Sequence, residues 1–285
     1  WPFNGNANDE SGNGNNGTNY GATLTTDRFG NAGKAYGFNG TSNFIALAQP
    51  FFQGSTSVGA FSYVVFFKLD QIPEVGKAFA ISNKEGYWRS LGLSIGDNGS
   101  ISFGGSQPSP QGYTGISSQP NSIIANQWYC AVLTLSNSTF NLYLSGQLIA
   151  TSTSSYINFD FSWPALGNST STNYIGAAHP VSPGITNYFK GVIDELGIYN
   201  RALTQSEITA LYTGVPPCIA NITNNDTAIC KGSSIILNAA TATGNTYRWS
   251  TNATTSSITV APTTTTKYYC TCLLYTSPSP RDQRG

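Results

Sequence analysis

Two short stretches carry residue types and spacings that could do chemistry. In DESGNGNNG, residues 9–17, Gly12, Gly14 and Gly17 have the G-x-G-x-x-G spacing with which a loop cradles a dinucleotide pyrophosphate. That use requires a preceding apolar strand, a following helix and an acid about 20 residues on. The residues that follow, TNYGATLTTDRFG, have no helical periodicity, and Gly and Asn adopt positive φ cheaply. The stretch is therefore predicted to be a surface loop between the first two strands. In GLSIG, residues 92–96, Ser94 stands in a G-x-S-x-G pattern, with Asp160 and His179 following in hydrolase order. A nucleophile elbow needs a strand-to-helix turn, whereas Ser94 lies in an alternating strand that runs into a hairpin. His179, the single histidine, precedes a proline in a loop. Neither pattern is predicted to be catalytic.

The elements that must position these residues read as strands. AFSYVVFFKLD places Phe61, Tyr63, Val65, Phe67 and Leu69 on one face and Ser62, Val64, Phe66 and Lys68 on the other. SLGLSIGDNGSISFGG reads as two strands about Asp97-Asn98-Gly99, and WYCAVLTLSNSTFNLYLSGQLIATS as three, joined at Asn137-Ser138 and Ser145-Gly146. One helix interrupts the pattern in ALTQSEITALYTGVPP. Thr204 and Glu207 have the capping-box spacing, Ile208, Leu211 and Tyr212 share a face, and Gly214 with Pro216 and Pro217 stops it. That stop is the predicted domain boundary. Short strands at this spacing imply an all-β chain, a sandwich or jelly roll of antiparallel sheets.

Composition narrows the function classes. Only 9% of the residues are charged, with 13 basic and 13 acidic side chains, so no basic patch marks a nucleic-acid partner. No apolar run approaches the roughly 18 residues of a membrane span, and no direct membrane insertion is expected. The chain opens on Trp1, in what reads as a strand, so the natural N-terminus is expected to lie upstream. At the other end CLLYTSPSPRD, residues 272–282, reads as one translated frame of a sequencing-library adapter. Residues 272–285 are set aside as an artefactual, disordered tail. Eight Asn-x-Ser/Thr triplets follow from a composition rich in Asn, Ser and Thr and are expected to be unoccupied.

WPFNGNANDESGNGNNGT, AYGFNGTSNFIAL, WYCAVLTLSNSTFNLYLSGQLIAT and YFKGVIDELGIYNRALTQSEITALY occur in order and resemble successive signatures of the laminin-G-like, concanavalin A-like lectin/glucanase superfamily. The resemblance covers residues 1–214. It implies an antiparallel jelly-roll β-sandwich of two curved sheets, with opening and closing strands adjacent and one short helix at its end. The superfamily's glucanases carry their acids on E-x-D-x-E-type strands, where alternation aims them the same way. Here Asp194 and Glu195 are neighbours and are predicted to face opposite sides, so glycosidase activity is not expected.

Asp194 lies among Val192, Ile193, Leu196 and Ile198, where a charge needs a partner. By resemblance that partner is a structural Ca²⁺, with oxygens around Asp9 or Asn39 completing the site. The alternative is an ion pair, with Arg28 or Arg201 as candidates, or backbone hydrogen bonds. For ligands, Tyr87, Trp88 and Arg89 in NKEGYWRSLG and Trp163 in DFSWPALGNS are the candidates to stack on a sugar, against core packing as the alternative for each Trp.

After a linker at 215–218, residues 219–271 show Cys230, Trp249, Tyr268 and Cys270 in the order of an immunoglobulin-like domain. They are similar to the short Ig-like or PKD-like repeats of bacterial adhesins and secreted enzymes, here as a partial β-sandwich. That resemblance pairs Cys230 with Cys270, with Cys218–Cys230 as the competitor and Cys130 as a buried free thiol. The expected protein is a secreted or cell-surface bacterial one, non-catalytic, recognising a glycan or a surface protein in adhesion. A purely structural stalk and an accessory domain of a larger extracellular hydrolase are the alternatives.

Overall fold

The structure, a computed structural model, describes residues 1–48, 60–84, 92–106, 113–153, 173–178, 187–214, 228–239 and 246–273. The chain divides into two compact units, Trp1–Thr204 and Gln205–Gly285.

The first unit opens with β1 (Gly17–Tyr20), β2 (Thr23–Thr25), β3 (Ala35–Asn39), β4 (Phe44–Leu47) and β5 (Ala60–Leu69). Next come β6 (Ala78–Lys84), β7 (Gly92–Gly96), β8 (Ile101–Ser106), β9 (Tyr113–Ser117) and β10 (Trp128–Ser136). β11 (Thr139–Leu144), β12 (Gln147–Thr153), β13 (Asn173–Ile175) and β14 (Lys190–Tyr199) complete it. They form two antiparallel sheets, ordered β1-β4-β13-β6-β7-β8-β9 and β12-β11-β10-β5-β14-β3-β2. This is the two-sheet jelly-roll sandwich expected from the resemblance.

Turn chemistry explains the hairpins. Asn137 and Ser138 have φ of 47° and 66°, and Ser145 and Gly146 have 49° and 83°, the paired positive angles of tight two-residue turns. At the opposite corner Gly21, at φ 81°, lets the chain pass from β1 in one sheet to β2 in the other. The Asn19 side chain holds that corner by accepting from Ala22 N–H and donating to Ala22 C=O.

Between the sheets lies one core that includes Phe61, Tyr63, Val65, Phe67 and Leu69 of β5, as their alternation predicts. Their opposite neighbours do not follow it: Ser62, Val64 and Phe66 are buried too. Later chain covers that outer face. Ser62 Oγ donates to Arg201 C=O and accepts Leu203 N–H, and the Arg28 guanidinium lies over Phe66. Tyr63 Oη and Ser82 Oγ, 2.7 Å apart, bond across the core between the two sheets. The opening segment is not a strand, yet Trp1 and Leu196 of β14 exchange backbone hydrogen bonds at 2.9 and 3.1 Å, so the beginning and end of the sandwich lie side by side.

In the second unit α1 (Gln205–Thr213) begins directly after Thr204, and Gly214 at φ 70° follows it. Only Ile208 of the expected apolar face is buried, and Tyr212 is exposed. β15 (Ile235–Asn238) pairs with β17 (Ser257–Val260), and β16 (Thr246–Trp249) with β18 (Cys270–Leu273). Buried Trp249 centres their small core and donates Nε1–H to Thr255 C=O. Cys272 and Leu273, assigned to a disordered tail from the sequence, instead close β18 against Tyr247 and Thr246. Ladder pairing, to which any residue contributes its backbone, absorbs them.

The expected Cys230–Cys270 bridge is not formed: both thiols are free. Cys230 sits exposed in the turn that leads into β15, while Cys270 is registered against Trp249 in the other ladder. Cys218 lies outside the described residues. Cys130 is buried in β10, and desolvation pushes its thiol up to about 12 despite the lowering influence of Arg28. Iodoacetamide at neutral pH is therefore expected to label Cys230 in the folded chain and Cys130 only after unfolding. Peptide mapping checks this, and equal labelling of the two would contradict the burial of Cys130.

Candidate functional site

Gly12 and Gly14 have φ of 89° and 71° in a loop, and Gly17 opens β1 rather than a helix. Asp9 organises that loop by accepting Ser11 N–H and Asn15 N–H on its two carboxylate oxygens. Partial desolvation raises the Asp9 carboxyl, but the Ser11 and Asn15 hydrogen bonds outweigh it and hold it below its ordinary range. The glycines thus serve an acid-tied surface loop, not a phosphate cradle. Ser94 lies mid-strand in β7, between Ala80 and Ser102, with no turn at it. Asp160 and His179 lie outside the described residues.

Asp194 and Glu195 correct the alternation argument. Ile193 pairs with Phe67 and Leu196 with Val65, so β14 bulges opposite Phe66. The bulge turns both acids to one side, where Arg28 Nη1 lies 2.7 Å from Asp194 Oδ2 and 2.9 Å from Glu195 Oε2. Arg28 is held in place by the rings of Phe66 and Phe29, at 3.7 and 4.3 Å from their centroids. The loop presenting it is tied by Asp27, whose carboxylate accepts Phe29 N–H, Asn31 N–H and Asn31 Nδ2–H.

The expected calcium ligands do not fit the ion as placed. A guanidinium sits on Asp194, backbone N–H groups occupy both Asp9 oxygens, and Asn39 Oδ1 accepts Thr41, Ser42 and Asn43 N–H. Among the described residues no three His, Cys, Asp or Glu side chains gather around a common point. The Arg28 ion pair, the alternative foreseen for Asp194, is what forms. Calcium is accordingly expected to leave the melting temperature of the full chain unchanged, and a rise of several degrees in calorimetry would overturn the ion-pair reading.

The outer face of the first sheet carries a different constellation. Ile45, Leu47, Leu93, Ile95 and Phe103 point into the core, so Phe44, Ala46, Ser94 and Ser102 point outward. Tyr20 is registered against Phe44 and Tyr174 against Ala46. The Tyr20 and Phe44 rings stack with centroids 4.6 Å apart and planes 12° apart, and Tyr174 braces Phe44 edge-on at 5.7 Å. Across β7, β8 and β9 runs a serine row, Ser94, Ser102 and Ser117, the last two joined Oγ to Oγ at 2.9 Å. None of the described side chains on this face is charged. Such a surface can stack a flat apolar ring and hydrogen-bond hydroxyls, and its described residues include no acid–base pair.

Tyr87, Trp88, Arg89 and Trp163 lie outside the described residues. Tyr20 and Phe44 escaped sequence reasoning because they lie in different strands, and only their register brings the rings together.

Residues 39–209 match the family described as the Concanavalin A-like lectin/glucanases superfamily. Among solved structures, the binding domain of botulinum neurotoxin serotype D is similar, with 15% identity, TM-score 0.54, and coverage of 75% of this chain and 50% of that one. The serotype D ligand-binding domain in complex with N-acetylneuraminic acid matches with 15% identity, TM-score 0.55, and coverage of 75% and 49%. The chain thus spans about half the length of these toxin domains. Domain 4 of an extracellular arabinanase from Geobacillus stearothermophilus, in complex with arabinotriose, matches with 20% identity, TM-score 0.54, and coverage of 74% and 94%. At these identities the likeness shows the fold alone. No curated protein matches the chain significantly.

Proposed function

Because the chain belongs to the concanavalin A-like lectin/glucanases superfamily, we propose that its first unit is a non-catalytic carbohydrate-binding module. The observation that carries this reading is the outer face of the first sheet, uncharged among its described residues, where a braced aromatic pair and a row of serine hydroxyls offer both kinds of contact that a sugar needs. The arabinotriose complex of the arabinanase domain and the N-acetylneuraminic acid complex of the toxin domain support glycan as the class of partner. The parent protein is read as secreted or cell-surface and bacterial, with an adhesive role, and the second unit as an Ig-like spacer. No helix among the described residues is long and apolar enough to cross a membrane.

The test is the full chain on an array of neutral and acidic glycans, arabinan fragments and sialylated oligosaccharides included. Concentration-dependent binding to a related set of glycans is expected. Silence across the array would sink the reading and favour a purely structural stalk.

A further inference from the structure

Tyr20 is half exposed although it lies in a strand, at 50% of its full accessibility. One face of its ring is taken by Phe44, and β1 is the terminal strand of its sheet, so no neighbouring strand covers the other. Phe44 cannot easily yield, because Tyr174 packs edge-on against it and is itself buried. We propose that the free face of Tyr20 is a stacking subsite for one neutral sugar ring, an inference that rests on the carbohydrate-binding reading above.

Three observations select this occupant. Among the described residues of this sheet Tyr20 is the one exposed large apolar side chain, with exposed Thr18 and Asn19 beside it in β1, so the apolar contact they offer is one ring wide, far short of the roughly 800 Å² per partner of a protein interface. No charged side chain stands among the described residues of this face, so nothing there would repay the desolvation of an anionic sugar. Finally, a ring stacked on Phe44, which Tyr174 braces in turn, loses little freedom on binding, and Thr18, exposed on the same face two residues earlier, offers a hydroxyl to those of the ligand.

The experiment is calorimetric titration of the full chain with arabinotriose, cellotriose and N-acetylneuraminic acid, on the natural protein and on Tyr20→Ala and Tyr20→Phe. The natural protein is expected to bind a neutral trisaccharide. Tyr20→Ala is expected to weaken that binding about tenfold, while Tyr20→Phe, which keeps the ring, stays within about twofold. Melting temperatures taken in parallel separate loss of the subsite from loss of the fold. Saturation-transfer NMR, showing the sugar C–H protons against an aromatic ring in the natural protein and Tyr20→Phe, tests the contact without relying on the alanine variant. Undiminished binding by Tyr20→Ala would overturn the subsite yet leave the carbohydrate reading standing. Binding of N-acetylneuraminic acid alone would overturn the neutral specificity, and binding of none of the three sugars in any arm would count against both.

Discussion

Arg28→Ala is expected to lower the stability of the first unit by about 3–5 kcal/mol, the cost of taking the counter-charge from a buried carboxylate. The Asp194 side chain is 0% exposed and that of Arg28 12%, so water cannot take over the role of the guanidinium. Glu195, at 31%, is partly hydrated and contributes less. The variant also removes the cation from between Phe66 and Phe29, opening a gap over the outer face of β5. Arg28→Lys keeps the charge but not the planar stack, and a loss between those of the natural protein and Arg28→Ala is expected. Urea unfolding measures the effect. In Arg28→Ala combined with Asp194→Asn the losses should fall short of additivity by at least about 1 kcal/mol. Full additivity would show that the two side chains do not depend on one another.

Gly191→Ala is expected to cost about 2–6 kcal/mol, combining backbone strain with a steric clash that has no relief. Gly191 has φ of 146°, a conformation that side chains rarely adopt, and an added Cβ would lie 2.1 Å from Lys68 C=O and 3.0 Å from Leu69 Cα. Both obstacles are backbone atoms of β5, the strand with which β14 is registered here, so no rotamer change can clear them. Gly14→Ala is the control: its φ is also positive, at 71°, but nothing lies within 4 Å, and only the conformational penalty of about 1 kcal/mol is expected. Similar losses in the two variants, measured by thermal unfolding, would mean that the β14–β5 contact relaxes more readily than its geometry allows.

Local rules were legible before any coordinate. Alternation marked β5, β7, β8 and β10–β12, and Asn137-Ser138 and Ser145-Gly146 marked the turns, because both signals act within a few residues. Thr204 likewise marked the start of α1. The same rules correctly denied the two borrowed enzyme patterns their structural context at Gly17 and Ser94. Where they failed, the deciding atoms were distant in sequence. The opposed orientation expected of Asp194 and Glu195 assumed an unbroken strand, and one bulge aimed both at Arg28, more than 160 residues earlier. Alternation assigned Ser62 to the second face of β5, but its burial depends on the chain around Arg201 and Leu203, which bonds to it.

The sequence by itself determined the two-sheet sandwich and its hairpins, since the period of the apolar residues and the positive-φ turns leave few other ways to bury this chain. Which side chains meet was decided only by tertiary structure. Arg28 against Asp194, Trp1 beside Leu196 and Tyr20 on Phe44 all depend on register and strand order, long-range quantities to which each residue contributes only its size and charge.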